Sequence, residues 1–180
     1  MEHTIKTDRL TLRPLHIRDI ETVHAYASDV ENTRYMMFLP NETKEETEQF
    51  LLNVTAEWGK DTPEYYEFAI MLGDKHIGAI SVYPNEQRTE AELGWILHKQ
   101  YWGKGYATEA ALAIKNFAIR TLRILRLVAH CDHRNLASYA VMQNIGLRLV
   151  NDTEKRQYPK TGEVATEIMC AFSVSPEDMQ

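Results

Sequence analysis

Two glycines flank a lysine in QYWGKGYATEA, residues 100–110, and the residues that follow favour a helix. Glycine destabilises a helix interior by roughly 1 kcal/mol relative to alanine, so Gly103 and Gly105 need another explanation. The first amide groups of a helix lack partners within it and, with the helix dipole, attract anions. A residue without a Cβ also lets a phosphate approach the backbone. The spacing therefore predicts either a diphosphate site made of main-chain amides or an ordinary glycine-containing turn.

Two well-known phosphate-binding loops do not match this stretch. The Walker A pattern G-x-x-x-x-G-K-[ST] is absent from the chain. GKGYAT lacks the third glycine of the dinucleotide fingerprint, and Leu125 stands about where that fingerprint places its acidic residue. The sequence thus disfavours both of these nucleotide sites.

The elements that must position the glycines are predicted from hydrophobic periodicity. Apolar residues at helical spacing predict helices, and alternation or a short apolar run predicts strands. Together they indicate an α+β fold with a mostly antiparallel sheet and helices on both faces. The predicted helices are 19–28, 43–59, a long one beginning near Lys104, and 135–144; the predicted strands are 9–15, 65–72, 76–84, 89–97, 124–131 and 163–174.

Composition limits the function classes. A chain of 180 residues with 44% hydrophobic residues suits one domain, 1–180. The formal net charge of −6 gives no basic field for nucleic acid. Neither a signal peptide nor a membrane-length apolar run is visible, so we expect a cytoplasmic protein.

Cysteine and histidine do not predict a metal site or a disulfide framework. Cys131 and Cys170 both fall in apolar, strand-like segments, which favours buried free thiols. In the stretch HCDH, residues 130–133, side chains on a strand alternate between faces, so four ligands would not converge. We therefore expect no bound metal.

Three motifs in order resemble the GNAT N-acetyltransferases. QYWGKGYA fits the acyl-CoA signature Q/R-x-x-G-x-G/A, AELGWIL resembles the family's fourth strand, and NLASYAVMQNIGLR its N-x-x-S segment. TDRLTLRPL resembles the first strand of the branch that acetylates ribosomal-protein N-termini. The resemblance implies a mixed sheet of about seven strands in which the fourth and fifth splay apart and hold the pantetheine arm of acetyl-CoA.

The resemblance also implies which residues bind acetyl-CoA as cosubstrate. The main-chain amide that stabilises the oxyanion corresponds to Ile96 or Leu97. Asn135 can cap its helix and bind the pantetheine amides. The implied cosubstrate-binding residues are Ile96, Leu97, Gln100, Trp102, Gly103, Lys104, Gly105, Tyr106, Ala107, Thr108, Asn135 and Ser138.

Catalysis needs a proton acceptor for the amine and a donor for the leaving thiolate. Glu92 is the candidate base because histone-type relatives carry a glutamate on this strand; an ordinary strand carboxylate is the alternative. Many relatives place a tyrosine seven residues after the asparagine, where this chain has Met142. Ser138 is therefore the candidate donor, as in the N-terminal-acetylating branch, and a small helix residue is the alternative.

The acceptor is expected to be a primary amine. The resemblance implies that RYMMFLP, residues 34–40, forms a wall of the acceptor site, so the candidate substrate contacts are Tyr35, Met37, Phe38 and Glu92. Core packing is the alternative for at least one of the first three. A protein N-terminus is the first choice; a polyamine, an amino-sugar antibiotic or a catalytically weak acyl-CoA-binding module are the alternatives. The last strand is expected at an exposed edge, which permits a homodimer.

Overall fold

The computed structural model describes residues 3–175, which form nine strands and four α-helices. Two short 3-10 turns, Ile17–Asp19 and Lys99–Tyr101, precede α1 and α3 respectively. The elements are β1 (Ile5–Lys6), β2 (Thr11–Pro14), α1 (Ile20–Ala27), α2 (Lys44–Trp58), β3 (Tyr66–Leu72), β4 (Lys75–Pro84), β5 (Glu90–Leu97), α3 (Tyr106–Arg120), β6 (Arg126–Asp132), α4 (Leu136–Asn144), β7 (Arg148–Asn151), β8 (Lys155–Gln157) and β9 (Val164–Ser173).

The strands form one sheet in the order β1-β2-β3-β4-β5-β6-β9-β7, and β8 pairs with β9 outside this path. Neighbouring strands are antiparallel, except that β5 and β6 are parallel. The parallel pair requires a crossover, and α3 supplies it. The mixed, mostly antiparallel sheet confirms the predicted α+β class.

Helices cover both faces of the sheet because the side chains of each central strand alternate between two cores. Ala69 on β3 and Ala79 on β4 pack against α1 and α2. Their neighbours Phe68 and Ile80 point the other way, into a larger core with α3 and α4. The buried residues of α3 are Ala110, Ala111, Ile114, Phe117, Ala118 and Ile119.

The ends of two helices follow from their capping residues. Thr43 caps α2, its hydroxyl accepting from the Glu46 amide, and Gly59 follows the last turn, as the sequence indicated. The long helix α3 begins at Tyr106 rather than near Lys104, because Gly105 adopts a left-handed conformation with φ of 79°. The chain therefore turns at both glycines before the helix starts.

The expectation that the last strand lies at an exposed edge is wrong. β9 lies between β6 and β7, so the ends of the main path are β1 and β7. Periodicity does not predict β1, β7 or β8, which have two, four and three residues respectively. Together with the six strands that periodicity predicted, these three give the nine strands of the described chain, against about seven implied by the family resemblance.

Candidate active site

Strands β5 and β6 separate part-way along their length. Beyond Glu92 their ladder ends, although β5 continues to Leu97 and β6 to Asp132. The two strands, which correspond to the family's fourth and fifth, therefore leave a gap, as the family resemblance implied. The pairs that do form are Glu90–Arg126, Ala91–Leu127 and Glu92–Val128.

Two cavities of about 710 Å³ each lie beside this gap. The first is bordered by the start of α3 and by α4, and the second by α1, the segment that follows it, and the sheet. Some residues line both cavities, so a molecule that fills one can meet a molecule in the other. The shared residues are Tyr35, Met36, Trp95, Ile96, Asn135 and Ser138.

The first cavity gathers most of the residues assigned to acetyl-CoA. Gly103 has a φ of 72°, and a Cβ built on it would meet no atom within 4 Å, so its backbone faces open space. The Gln100 and Lys104 side chains lie outside the lining, and Lys104 Nζ donates to the Gln100 carbonyl at 3.1 Å. The predicted residues that do line this cavity are Ile96, Leu97, Trp102, Gly103, Gly105, Tyr106, Ala107, Thr108, Asn135 and Ser138.

The start of α3 suits the diphosphate of such a ligand. Gly105 makes no side-chain cap, so the first amides of the helix are without the usual capping acceptor. Tyr106, Ala107 and Thr108 line the cavity at this point. Main-chain donors and the positive end of the helix dipole are therefore directed at the same place.

Arg9, near the N-terminal end of the sequence, was not among the predicted site residues. It contacts the glycine loop, the segment that contains Gly103 and Gly105. Its Nη1 donates to the Lys104 carbonyl at 3.0 Å, and its Nε donates to Glu109 Oε2 at 2.6 Å. Its guanidinium also lies 4.7 Å from the centre of the Tyr106 ring. Arg9 thus ties the loop to the first turn of α3, and no local pattern indicates this contact.

The Leu97 amide, rather than that of Ile96, faces the gap. The His98 amide donates to the Ile77 carbonyl, and hydrogen-bonded pairs alternate along an antiparallel ladder. Ile96 therefore bonds to Ala79 on β4, whereas Leu97 directs its amide and carbonyl away from β4. The Leu97 carbonyl accepts from Trp102 Nε1 and Asn32 Nδ2, each at 3.0 Å.

Asn135 caps α4: its side-chain oxygen accepts from the Ser138 amide at 3.1 Å. Met142 is fully buried, so the position where many relatives carry a tyrosine belongs to the core. Ser138 lies one turn into the helix and lines both cavities. The cap therefore holds Asn135 and Ser138 at the junction of the two cavities.

An ion pair between partly exposed Arg134 and buried Asp132 fixes the chain just before α4. Asp132 is fully buried, and it accepts from Arg134 Nη2 and from the Tyr158 hydroxyl, both at 2.7 Å. Burial raises the pKa of this carboxyl, but the hydrogen bonds from Arg134 and Tyr158 outweigh it and hold the pKa well below its usual range. The turn that presents Asn135 is therefore anchored by a carboxyl group whose ionised form is strongly favoured.

The second cavity contains all four predicted acceptor contacts. Tyr35, Met37 and Phe38 line it on one side, and Glu92 lies on the sheet. Phe38 is 74% exposed, so it lies at the mouth of the cavity. The structure thus brings the predicted acceptor wall and the candidate base to the same space.

Arg156 adds a cation to this lining. It is 8% exposed, and its Nε lies 3.4 Å from Glu167 Oε2 and donates to Met37 Sδ at 3.3 Å. Its strand, β8, is one that periodicity did not predict. The second cavity is consequently neither purely apolar nor purely acidic.

A histidine that the sequence considered only as a metal ligand borders the same cavity. His130 Nδ1 lies 3.0 Å from Glu92 Oε1. The hydrogen bond with Glu92 raises the pKa of His130, and its effect exceeds that of burial, which lowers it. This pair sits where β5 and β6 part.

A carboxyl group that the sequence did not single out also reaches this cavity. Glu67 on β3 is 5% exposed and accepts a hydrogen bond from the Tyr83 hydroxyl. Burial raises its pKa to about 7, against the lowering effect of the bonds from Tyr83 and Ser81. A polar residue amid the apolar strand YEFAIML was the available sequence signal.

Two further observations concern metals and membranes. Within residues 3–175, no three histidine, cysteine, aspartate or glutamate side chains are grouped as a metal ion would need. Cys131 and Cys170 are buried free thiols, and burial raises the pKa of Cys131 to about 12. None of the helices in the described part of the chain is both long enough and apolar enough to span a bilayer.

Comparison with known proteins identifies the family. Residues 9–148 match the model of the acetyltransferase (GNAT) domain. The uncharacterized N-acetyltransferase YnaD of Bacillus subtilis (strain 168) is 33% identical over 146 residues, which cover 80% of this chain and 82% of YnaD. A GNAT-family acetyltransferase from Bacillus anthracis has a similar structure, with a TM-score of 0.82 and 29% identity over 94% of this chain and 98% of that one.

The fold is also that of RimL, a ribosomal L7/L12 alpha-N-protein acetyltransferase solved with coenzyme A. The TM-score is 0.83, and the match covers 96% of this chain and 98% of RimL at 19% identity. At that identity the likeness establishes the architecture alone. The family model matches residues 9–148, and this chain covers most of the length of its relatives. The chain therefore belongs to the GNAT acetyltransferases and is an acyltransferase.

Proposed function

We propose that this enzyme transfers an acetyl group from acetyl-CoA directly to the α-amine of a protein N-terminus, with both substrates bound at once. The observation that carries the proposal is the meeting of the two cavities in the β5–β6 gap. Holding two reactants in this way can supply roughly 7–11 kcal/mol of the barrier without a covalent intermediate.

In this proposal the first cavity holds the cosubstrate. The diphosphate lies on the amides at the start of α3, and the pantetheine arm enters the gap beside Leu97 and Asn135. The free space at Gly103 and the absence of a side-chain cap at Gly105 support this placement. The coenzyme A in the RimL structure supports the same class of ligand.

The reacting thioester then lies at the junction of the cavities. The Leu97 amide faces the gap and can donate to the oxyanion that forms as the amine attacks. The Ser138 hydroxyl lines both cavities and can donate to the departing thiolate. Because a thiol has a pKa near ~8.5, a weak donor suffices for this step near neutral pH.

The α-amine of a protein suits the second cavity on chemical grounds. An α-amine has a pKa near ~7.7–8.0, much lower than the ~10.4 of lysine, so it loses its proton more readily. The mouth beside exposed Phe38 leaves a path along which a polypeptide can continue outward. RimL, an alpha-N-protein acetyltransferase of ribosomal L7/L12, supports this choice by fold alone.

The deciding experiment is acetylation of a panel of amines by the purified enzyme. Peptides beginning with Ser or Ala should be acetylated at the α-amine, and the same peptides with a blocked N-terminus should not. Mass spectrometry locates the acetyl group, and thiol release measures the rate. Turnover of spermidine or an amino sugar instead would assign a small-molecule acceptor, while coenzyme A binding without turnover of any amine would indicate an acyl-CoA-binding module.

A further inference from the structure

Glu67 differs from the other buried carboxylates in the described chain because it has no basic partner. The four buried acidic residues are Asp19, Glu57, Glu67 and Asp132. Three of them form ion pairs, Asp19 with Arg13, Glu57 with Lys60, and Asp132 with Arg134. Within residues 3–175, the side chains that hydrogen-bond to the Glu67 carboxyl are neutral hydroxyls, those of Tyr83 and Ser81.

A buried carboxylate without a cation is costly, so its presence needs a reason. A glutamine would fill the same volume and would still accept the hydrogen bond from Tyr83. Glu67 also lines the acceptor cavity, so its missing partner can come from outside the protein. Primary amines are mostly protonated near neutral pH, so an amine substrate would reach this cavity as an ammonium ion.

The sheet directs this carboxyl toward the gap. Glu67 pairs with Ser81 on β4, and Ser81 pairs with Gly94 on β5, so the three form one row across the cavity floor. Gly94 keeps the end of the row clear, because a Cβ there would lie 2.9 Å from Ser81 Oγ. The same Cβ position is 4.0 Å from Cε2 of Tyr83, the residue that bonds to Glu67. The Glu67–Tyr83 pair therefore lies within reach of an amine placed over Gly94.

The ionisable groups that interact with Glu67 from the surrounding elements are phenols. Tyr26 comes from α1, Tyr65 immediately precedes β3, and Tyr83 comes from β4. Burial is the main cause that raises the pKa of each, and the negative charge of Glu67 raises it further. The other charged groups around the cavity are Glu92, His130 and Arg156. The pKa of Glu67 near 7 lets this carboxyl hold or release a proton in the pH range of the reaction.

On the assumption that the proposed acetyl transfer is correct, we propose that Glu67 binds the ammonium group of the acceptor and takes its proton. The acceptor enters as an ammonium ion, and one N–H proton passes to a Glu67 carboxylate oxygen. The freed lone pair forms the N–C bond to the acetyl carbonyl, and the C–S bond breaks. The second proton lost from nitrogen goes to the departing sulfur, which leaves as the thiol.

The first test compares Glu67→Gln with the wild type in kcat/KM from pH 5.5 to 9, using a Ser-starting peptide. The wild-type rate should rise with pH through an apparent pKa of about 7. Glu67→Gln should lose that rise and fall by roughly 10²–10⁴-fold, while the coenzyme A dissociation constant is unchanged. Glu86→Gln is the matched control, because Glu86 is an exposed glutamate of the β4–β5 turn that lines neither cavity.

Tyr83→Phe keeps the proposal falsifiable if Glu67→Gln folds poorly. Loss of the Tyr83 hydrogen bond should move the rising limb to higher pH by about one unit, because that bond stabilises the ionised carboxylate. If Glu67 had only a structural role, the pH at which kcat/KM rises would stay the same in Tyr83→Phe. An unchanged limb in both variants, or its loss in Glu92→Gln with its retention in Glu67→Gln, would overturn the proposal.

A direct titration separates this proposal from the proposed function. Carboxyl ¹³C NMR of glutamate-labelled enzyme, with Glu67→Gln to assign the signal, should show a group titrating near pH 7. Adding the Ser-starting peptide should lower that pKa, because an ammonium ion favours the carboxylate. A Glu67 signal that titrates at its ordinary value overturns the proposal even if the peptide is acetylated. Absence of coenzyme A binding and turnover, with this titration intact, refutes the acetyl transfer instead.

Discussion

Glu92 Oε1 and His130 Nδ1 lie 3.0 Å apart at the point where β5 and β6 separate. The contact joins the last paired residue of β5 to a residue two positions beyond its partner on β6. It therefore bridges the opening of the gap through which the two substrates would meet. A glutamate first considered as a base is, in the structure, half of an acid–histidine pair.

Replacing Glu92 with Gln should lower the pKa of His130, since the hydrogen bond with Glu92 is the main cause of its elevation. A histidine with a raised pKa stabilises the fold below its unfolded pKa of about 6.5, and this contribution disappears as the pH rises through the folded pKa. The wild type should therefore exceed the variant in stability mainly under acidic conditions. Histidine-ring NMR titration and urea unfolding measure the two effects. Equal His130 pKa values in the wild type and the variant would contradict this assignment.

The sequence predicted the elements and contacts that depend on local pattern. Helix periodicity placed α2 and the buried face of α3, and the two glycines located the turn that precedes α3. Contacts between distant segments left no such pattern. Arg9 reaches the loop of Gly103 and Gly105 only because the fold brings the residues just before β2 next to the start of α3. The edge position of β7 follows from pairing that four residues cannot specify.

Gly103→Val should abolish measurable acetyl-CoA binding and leave the protein folded. A valine side chain would project into the open space where we place the phosphates. Gly73→Val is the matched control, because Gly73 also has a positive φ, of 57°, and a Cβ on it would meet no atom within 4 Å, but it lines neither cavity. Both variants should lose a similar stability, about 1–2 kcal/mol from left-handed backbone strain. Calorimetry should find the binding loss only at Gly103; normal binding there would count against the phosphate site.

Asn135→Ala should affect both stability and cosubstrate binding, because Asn135 caps α4 and lines the first cavity. Loss of an N-cap typically costs about 1 kcal/mol. Asn135→Asp retains an acceptor for the Ser138 amide but removes the amide donor, so it should keep the stability and still weaken coenzyme A binding. Thermal unfolding and calorimetry on both variants separate the two roles. If the aspartate variant binds coenzyme A normally, Asn135 acts as a cap alone.

Arg9→Ala should weaken coenzyme A binding about tenfold, although Arg9 lines neither cavity. Its hydrogen bond to the Lys104 carbonyl and its ion pair with Glu109 hold the glycine loop on the first turn of α3. Without them the main-chain donors must be ordered by the ligand itself, and that ordering weakens affinity. Arg120→Ala, an exposed arginine at the end of the same helix, is the control. Equal affinities for the two variants would show that the loop keeps its shape without Arg9.

Glu67→Gln should make the protein more stable relative to the wild type as the pH rises from 4.5 to 7. In the folded wild type burial raises the Glu67 pKa from its ordinary value of 4.5 to about 7, so between these values the unfolded chain has lost a proton that the folded chain still holds. The stability of the wild type therefore falls with pH in this range, by up to about 3 kcal/mol, and the glutamine variant lacks this slope. Urea unfolding at pH 4.5, 6 and 8 gives the difference between the two proteins. Parallel pH profiles would mean that Glu67 ionises as readily inside the fold as in the unfolded chain, in which case the cavity does not hold a carboxyl group poised for an ammonium ion.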